Sequence, residues 1–398
     1  MFLIIVILFS ACLGVGFAYD MDFKEACSSP DAFKKEVSAV FTSLKTDLAG
    51  EEEEEEPKEE VKKAPKPDPL KEKLSEMTLE EKVGQMFILR FPSEGLSEDV
   101  KNYHPAGFVL FEKDFKNKSR TEVQDMIGKA DQSNIPMLFA VDEEGGSVNR
   151  VSTNPALSEK PFPSPKALTQ SGDMEAVKED TLAKCALLKD LGINVNFAPV
   201  ADVSTHPSDF IHERALGKEA EATAEYIKTV VREMKGSGVA STLKHFPGYG
   251  SNRDTHKGSS KDERGYESFR DEDYLPFEAG IEEGCDLVMV SHNIVTCMDP
   301  NLPASLSPAV HTELRDVLGF KGVIITDDLS MNGITSLTGG ESPAVLAVLA
   351  GNDLLCSTDY EKDYPAVLQA AKEGKIAEKD IDASVLRILK LKDRLGLL

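Results

Sequence analysis

With 398 residues, of which 41% are hydrophobic and 29% charged, the chain is long enough to bury a large core and is neither fibrous nor of low complexity overall. Its formal net charge of -24 excludes binding to nucleic acid or to anionic membrane surfaces through bulk electrostatics, because both attract basic proteins. Six cysteines without tight spacing exclude a disulfide framework and a cysteine-based metal cluster; Cys27, Cys185, Cys285, Cys297 and Cys356 read mostly as buried free thiols.

Residues 1–18, "MFLIIVILFSACLGVGFA", carry no charge and read as an export signal. Two processing sites compete. Phe9 to Cys12 forms a relaxed lipobox with Cys12 as the lipidated residue, and Gly16-Phe17-Ala18 fits a small-x-small cleavage site before Tyr19. An uncleaved anchor is a third reading, since the stretch is just long enough to span a bilayer. Each places the remaining chain outside the cytoplasm, with a membrane-tethered lipoprotein as the expectation. In residues 19–50, Phe33, Val37, Val40, Phe41 and Leu44 recur at helical spacing and predict one short amphipathic helix. Residues 51–70, "EEEEEEPKEEVKKAPKPDPL", hold too little apolar surface to fold and read as a charged tether; the glutamate run as a calcium site is the weaker reading.

From residue 71 to 398 the pattern becomes an alternation of short apolar runs with helical segments, opened by a capping-box helix start at Thr78 and Glu81. Candidate strands fall at Met86 to Leu89, Gly107 to Phe111, Met137 to Val141, Asn194 to Ala198, Ser241 to Lys244, Leu287 to Val290, Val323 to Thr326 and Asp353 to Cys356. Eight strands separated by helices predict a single (β/α)8 barrel, with a doubly wound sheet as the alternative. A barrel of this kind places its chemistry just past the C-terminal ends of the strands.

Chemical residues do follow the predicted strands. The third runs into "VDEEGGSVNR", the fourth into "NFAPVADVSTHPSDFIHERALG", the fifth into "KHFPGYGSNRDTHKG", the sixth into "SHNIVTCMD" and the seventh into "TDDLSMNGI". Taken singly, Asp142 could hold a turn, Asp327 or Asp328 could cap a helix, and Lys244 could form a buried ion pair. Five strand ends bearing such groups together are costly without a ligand to justify them. His245, His256 and His292 lack the H-x-x-x-H or H-x-H spacing of a zinc site, and no phosphate loop or dinucleotide fingerprint occurs, so neither metal nor cofactor is expected. Acid/base and nucleophile chemistry on a neutral polar substrate remains.

From about Met77 to the C-terminus the chain resembles glycoside hydrolase family 3, in its single-domain β-N-acetylglucosaminidase branch. The resemblance rests on "DEEGGSVNR", "FPSPKALTQSGD", "LGINVNFAPVADV", "KHFPGYG", "PASLSPAVHTELRDVLGFKGVIITDDLSM" and "AGNDLL", in the family's order. It implies a retaining mechanism with Asp327, the first aspartate of the strand-seven motif, as nucleophile and Asp328 in an orienting role. It also implies that His256 is the general acid/base, supported by Asp254 two residues earlier, on a loop whose glycines let it move. Asp142, Arg214, Lys244 and His245 match family positions that bind the terminal sugar, and His292 is a further candidate whose alternative is a structural histidine. Two departures are visible: Tyr249 stands where the family has a histidine, in a loop one residue shorter, and Ser147 replaces an arginine.

The expected activity is exo-hydrolysis of terminal β-linked N-acetylglucosamine from peptidoglycan fragments or chitin-type oligosaccharides by a monomer. A family 3 β-glucosidase, transfer to phosphate, and a non-catalytic glycan-binding lipoprotein are the alternatives.

Overall fold

The structure, a computed structural model, describes residues 68–398 apart from 132, 171–173, 251–259, 332–333 and 335–337. The export signal with Cys12, the amphipathic helix and the stretch of tether before Asp68 lie outside the described residues. Asp68 caps the helix Pro69–Glu76, and Thr78 and Glu81 form the expected capping box at the start of the helix Leu79–Gln85, each side chain accepting the other's backbone N–H.

Eight parallel strands follow: β1 (Phe87–Arg90), β2 (Gly107–Leu110), β3 (Leu138–Val141), β4 (Val195–Asn196), β5 (Ala240–Phe246), β6 (Leu287–Val290), β7 (Val323–Thr326) and β8 (Leu355–Ser357). They pair in chain order from β1 to β7, β8 pairs with β1, and a bridge between Ile325 and Leu354 joins β7 to β8. The result is the (β/α)8 barrel, not a doubly wound sheet.

The period of two along each strand divides the core into two layers. Ile88, Val109, Leu287, Met289, Val323 and Ile325 face one another inside the barrel, while Phe87, Leu89, Val288, Val290 and Ile324 face the helices. Each such buried side chain contributes roughly 1.5–3 kcal/mol relative to exposure. The helix Ala220–Ser237 shows the matching surface, burying Thr223, Tyr226, Ile227, Val230, Val231 and Met234 at spacings of three and four before Gly238 ends it at φ 77°.

Two strands differ from expectation in ways that bear on the site. β4 is shorter than expected, and side-chain amides at its two ends add to the backbone pairing: Asn194 accepts from the Phe139 N–H at 2.8 Å and donates to the Met137 carbonyl at 3.0 Å, and Asn196 exchanges bonds with the backbone of Glu143. β5 is longer, and its register against β6 shifts between Lys244 and Phe246.

Candidate active site

The C-terminal ends of the strands enclose a cavity of about 310 Å³ lined by Asp142, Arg214, Lys244, His245, Asp327 and Asp328 among others. The irregularity in β5 accounts for one feature of this convergence. Successive residues of a regular strand point to opposite faces, and the extra residue of a bulge re-aims them, so that Lys244 and His245 reach the same cavity.

Lys244 is the electrostatic centre. Its Nζ donates to Asp142 Oδ1 at 2.7 Å and lies 2.5 Å from Glu144 Oε1, while the Arg214 guanidinium grips Glu144 through two bonds of 2.9 and 2.7 Å. Burial alone would raise the Glu144 carboxyl, but Arg214 and Lys244 override it and hold the group far below the usual carboxylate range. Glu144 in turn keeps the buried Arg214 charged, outweighing its desolvation.

His245 is fixed from behind. Its Nδ1 lies 2.8 Å from Asp202 Oδ2, and Asp202 also accepts the backbone N–H groups of His245 and Tyr249. A carboxylate only accepts, so Nδ1 carries the proton; Nε2 then accepts from Arg214 at 3.4 Å, since guanidinium only donates. Tyr249, the departure from the family's histidine, is buried and sets its ring edge-on against His245 with centroids 5.1 Å apart. Ser147 is exposed at the turn after Gly145 and Gly146.

Asp327 and Asp328 follow β7 directly. The Asp327 N–H donates to the Val290 carbonyl of β6 at 3.2 Å, and its Oδ1 accepts from the Asp328 N–H at 2.8 Å, which fixes the carboxylate's rotation. The Asp328 side chain is engaged by the turn itself, accepting from Ser330 N–H at 2.9 Å and the Thr358 hydroxyl at 2.5 Å.

Asp254 and His256 lie outside the described residues; the chain is described up to Gly250 and again from Ser260, where Lys261–Asp262 pairs with Ile294–Val295. His292 is placed differently from Asp142, Arg214, Lys244 and His245, which line the cavity. It does not line the cavity but is fully buried just past the end of β6, with Nδ1 2.7 Å from the Ser305 hydroxyl and Nε2 3.0 Å from the Asp328 carbonyl. Of the cysteines, Cys185, Cys285 and Cys356 are buried free thiols, whereas Cys297 is exposed. Among the described residues no group of three or more His, Cys, Asp and Glu could hold a metal.

Three residues escaped the sequence reading. Glu144 and Asp202 carry the buried charge network, and Glu143 accepts the backbone N–H groups of Arg150, Val151 and Ser152 to shape the loop after β3. All lie within "DEEGGSVNR" and "VADV", but three successive acids look alike until the turn decides which faces inward.

The family model "Glycosyl hydrolase family 3 N terminal domain" matches residues 78–391. An uncharacterized secreted glycosyl hydrolase of Arthroderma benhamiae is 31% identical over 343 residues, 82% of this chain and 89% of that one. A β-hexosaminidase of Xanthomonas oryzae is 34% identical over 256 residues, covering 63% of this chain and 75% of its own. Among solved structures, a family 3 β-N-acetylglucosaminidase from a Paenibacillus species superposes with a TM-score of 0.76 at 34% identity, covering 81% of this chain; the chain spans 63% of that structure's length. A barrel whose strand ends hold paired carboxylates beside a lysine, an arginine and a histidine, matched along most of its length, is a glycoside hydrolase, and the chain belongs to glycosyl hydrolase family 3.

Proposed function

We propose that the protein is a retaining exo-β-N-acetylglucosaminidase working outside the cytoplasm. The observation that carries the reading is the convergence of Asp327 with Asp142, Lys244, His245 and Arg214 on one cavity of about 310 Å³, small by the standard of ligand pockets and suited to a single terminal sugar. In this reading Asp327 attacks the anomeric carbon to form a glycosyl-aspartate, as a retaining glycosidase requires, and water later displaces the sugar. Asp142, Lys244, His245 and Arg214 bind its hydroxyls through charge-assisted bonds whose donors and acceptors are already held in place. His256, supported by Asp254, protonates the departing oxygen and then activates water.

The preference for the amino sugar is supported by the β-hexosaminidase and β-N-acetylglucosaminidase relatives. Export is supported by residues 1–18 and by the secreted relative, and Cys12 is the proposed lipidation site of a membrane tether. Peptidoglycan fragments and chitin-type oligosaccharides are the proposed substrates.

A panel of aryl β-glycosides that differ only in the sugar tests the reading. The N-acetylglucosaminide is expected to be turned over with by far the highest kcat/KM. Preference for the glucoside would overturn the assignment of substrate while leaving the family intact.

A further inference from the structure

The turn that carries Asp327 is gripped from both neighbouring strands. From the β8 side, the Leu329 N–H donates to the Cys356 carbonyl at 3.0 Å and Thr358 engages the Asp328 carboxylate. From the β6 side, the Asp327 N–H meets Val290, and the Asp328 carbonyl, which also accepts from the Met331 N–H at 3.1 Å, is met by His292. We infer that His292, held by Ser305, is a positioning residue that sets the attack geometry of Asp327 through the Asp328 carbonyl. This rests on the proposal that Asp327 is the nucleophile.

The chemistry of the contacts supplies the assignment. A carbonyl oxygen only accepts, so the His292 Nε2 bears a proton and donates along the 3.0 Å contact. In the neutral ring Nδ1 is then an acceptor, and the Ser305 hydroxyl at 2.7 Å is its donor. Ser305 is itself locked: its N–H donates to the Ser291 carbonyl at 2.9 Å, and its carbonyl accepts from Asn352 Nδ2 at 2.8 Å. His292, Ser291 and Ser305 are all fully buried, so the tautomer is set by fixed partners and not by bulk water. "SHN" after β6 and "PASLS" further on thus become two halves of one support for the strand-seven carboxylate.

The support matters because glycosyl transfer to Asp327 depends on the position of one carboxylate, and a displacement of about 1 Å costs on the order of a hundred-fold in rate. Substrate binding depends on other residues. A histidine that positions the nucleophile therefore affects kcat and leaves KM nearly alone, whereas a histidine that only stabilises the fold lowers the amount of active protein and leaves its rate per site unchanged.

The experiment measures the rate of glycosyl-enzyme formation with a 5-fluoro-N-acetylglucosaminyl fluoride, normalised by active-site titration, together with kcat and KM on an aryl N-acetylglucosaminide. His292→Leu is expected to slow formation by about a hundred-fold with KM scarcely changed. His292→Gln, whose side-chain amide can donate to the same carbonyl, is expected to recover most of the loss. Ser305→Ala, which keeps the ring and removes its hydroxyl partner, is expected to lose roughly ten-fold, the worth of one hydrogen bond. Wild-type rates per site in His292→Leu, or in Ser305→Ala if the leucine variant does not fold, would overturn the inference. Asp327→Ala is run alongside with azide. Loss of turnover with formation of the α-glycosyl azide upholds the nucleophile, so a normal His292→Leu then sinks the inference alone; retained turnover in Asp327→Ala sinks the nucleophile reading beneath it.

Discussion

Lys244 was legible in the sequence as a charge at a strand end, and its neighbours show why charge type alone did not define its work. It touches two carboxylates, one facing the cavity and one buried behind it, so it ties Asp142 to the buried pair of Glu144 and Arg214. The two aspartates after β7 differ in their partners: Asp327 accepts from the Asp328 N–H, whereas Asp328 accepts from Thr358 and Ser330. His292 shows the opposite case, since nothing in "SHN" distinguishes a histidine facing a cavity from one turned into the wall behind it. The proposed acid, His256, has its own signature. A good leaving group departs without a proton and a poor one does not, so His256→Ala is expected to lose about a hundred- to ten-thousand-fold on a natural disaccharide and far less on a dinitrophenyl glycoside. Asp254→Asn is expected to follow the same pattern. Equal losses on both substrates would assign the acid to another group.

The helices and strands were readable wherever hydrophobic period decides them, as along β6 and β7, whose bounds match the apolar runs residue for residue. They were misjudged at β4, where side-chain amides of Asn194 and Asn196 share the pairing with β3, and at β5, which runs past its expected end at Lys244 through the buried His245 and Phe246. β8 begins later than its apolar pattern: Asp353 and Leu354 bond through their backbones to β7, and the Asp353 carboxylate meets Arg315, Arg387, Ser384 and the Ile324 N–H. The root of the loop after β5 gives a test at this level. Gly248 has φ 129°, and a Cβ there would lie 2.1 Å from Oδ1 of the buried Asp273, whose carboxyl burial pushes up to about 7 despite its bond to Arg264. Backbone strain and contact act together, so Gly248→Ala is expected to destabilise the protein by more than about 1 kcal/mol and to lower kcat on the natural substrate. A variant with unchanged Tm and kcat would show that this turn has slack.

For the molecule as a whole, the barrel is a frame that lets the charges of several strand ends be buried together, and its stability carries the mark of that. Glu144 has its carboxyl lowered in the folded state, so its contribution is fully present above the ordinary carboxylate pKa of about 4.5 and is lost as pH falls below it. Glu144→Gln leaves Lys244 and Arg214 short of a counter-charge and is expected to cost about 3–5 kcal/mol at neutral pH, with the gap to wild type narrowing in acid. Parallel pH profiles of Tm for the two proteins would contradict the network's role. The proposed covalent link between Asp327 and the sugar can be read out chemically. The enzyme is trapped with the 5-fluoro-N-acetylglucosaminyl fluoride, digested, and the labelled peptide sequenced by mass spectrometry. One sugar on Asp327 is expected; a label on Asp328 or any other residue would rule Asp327 out as the nucleophile.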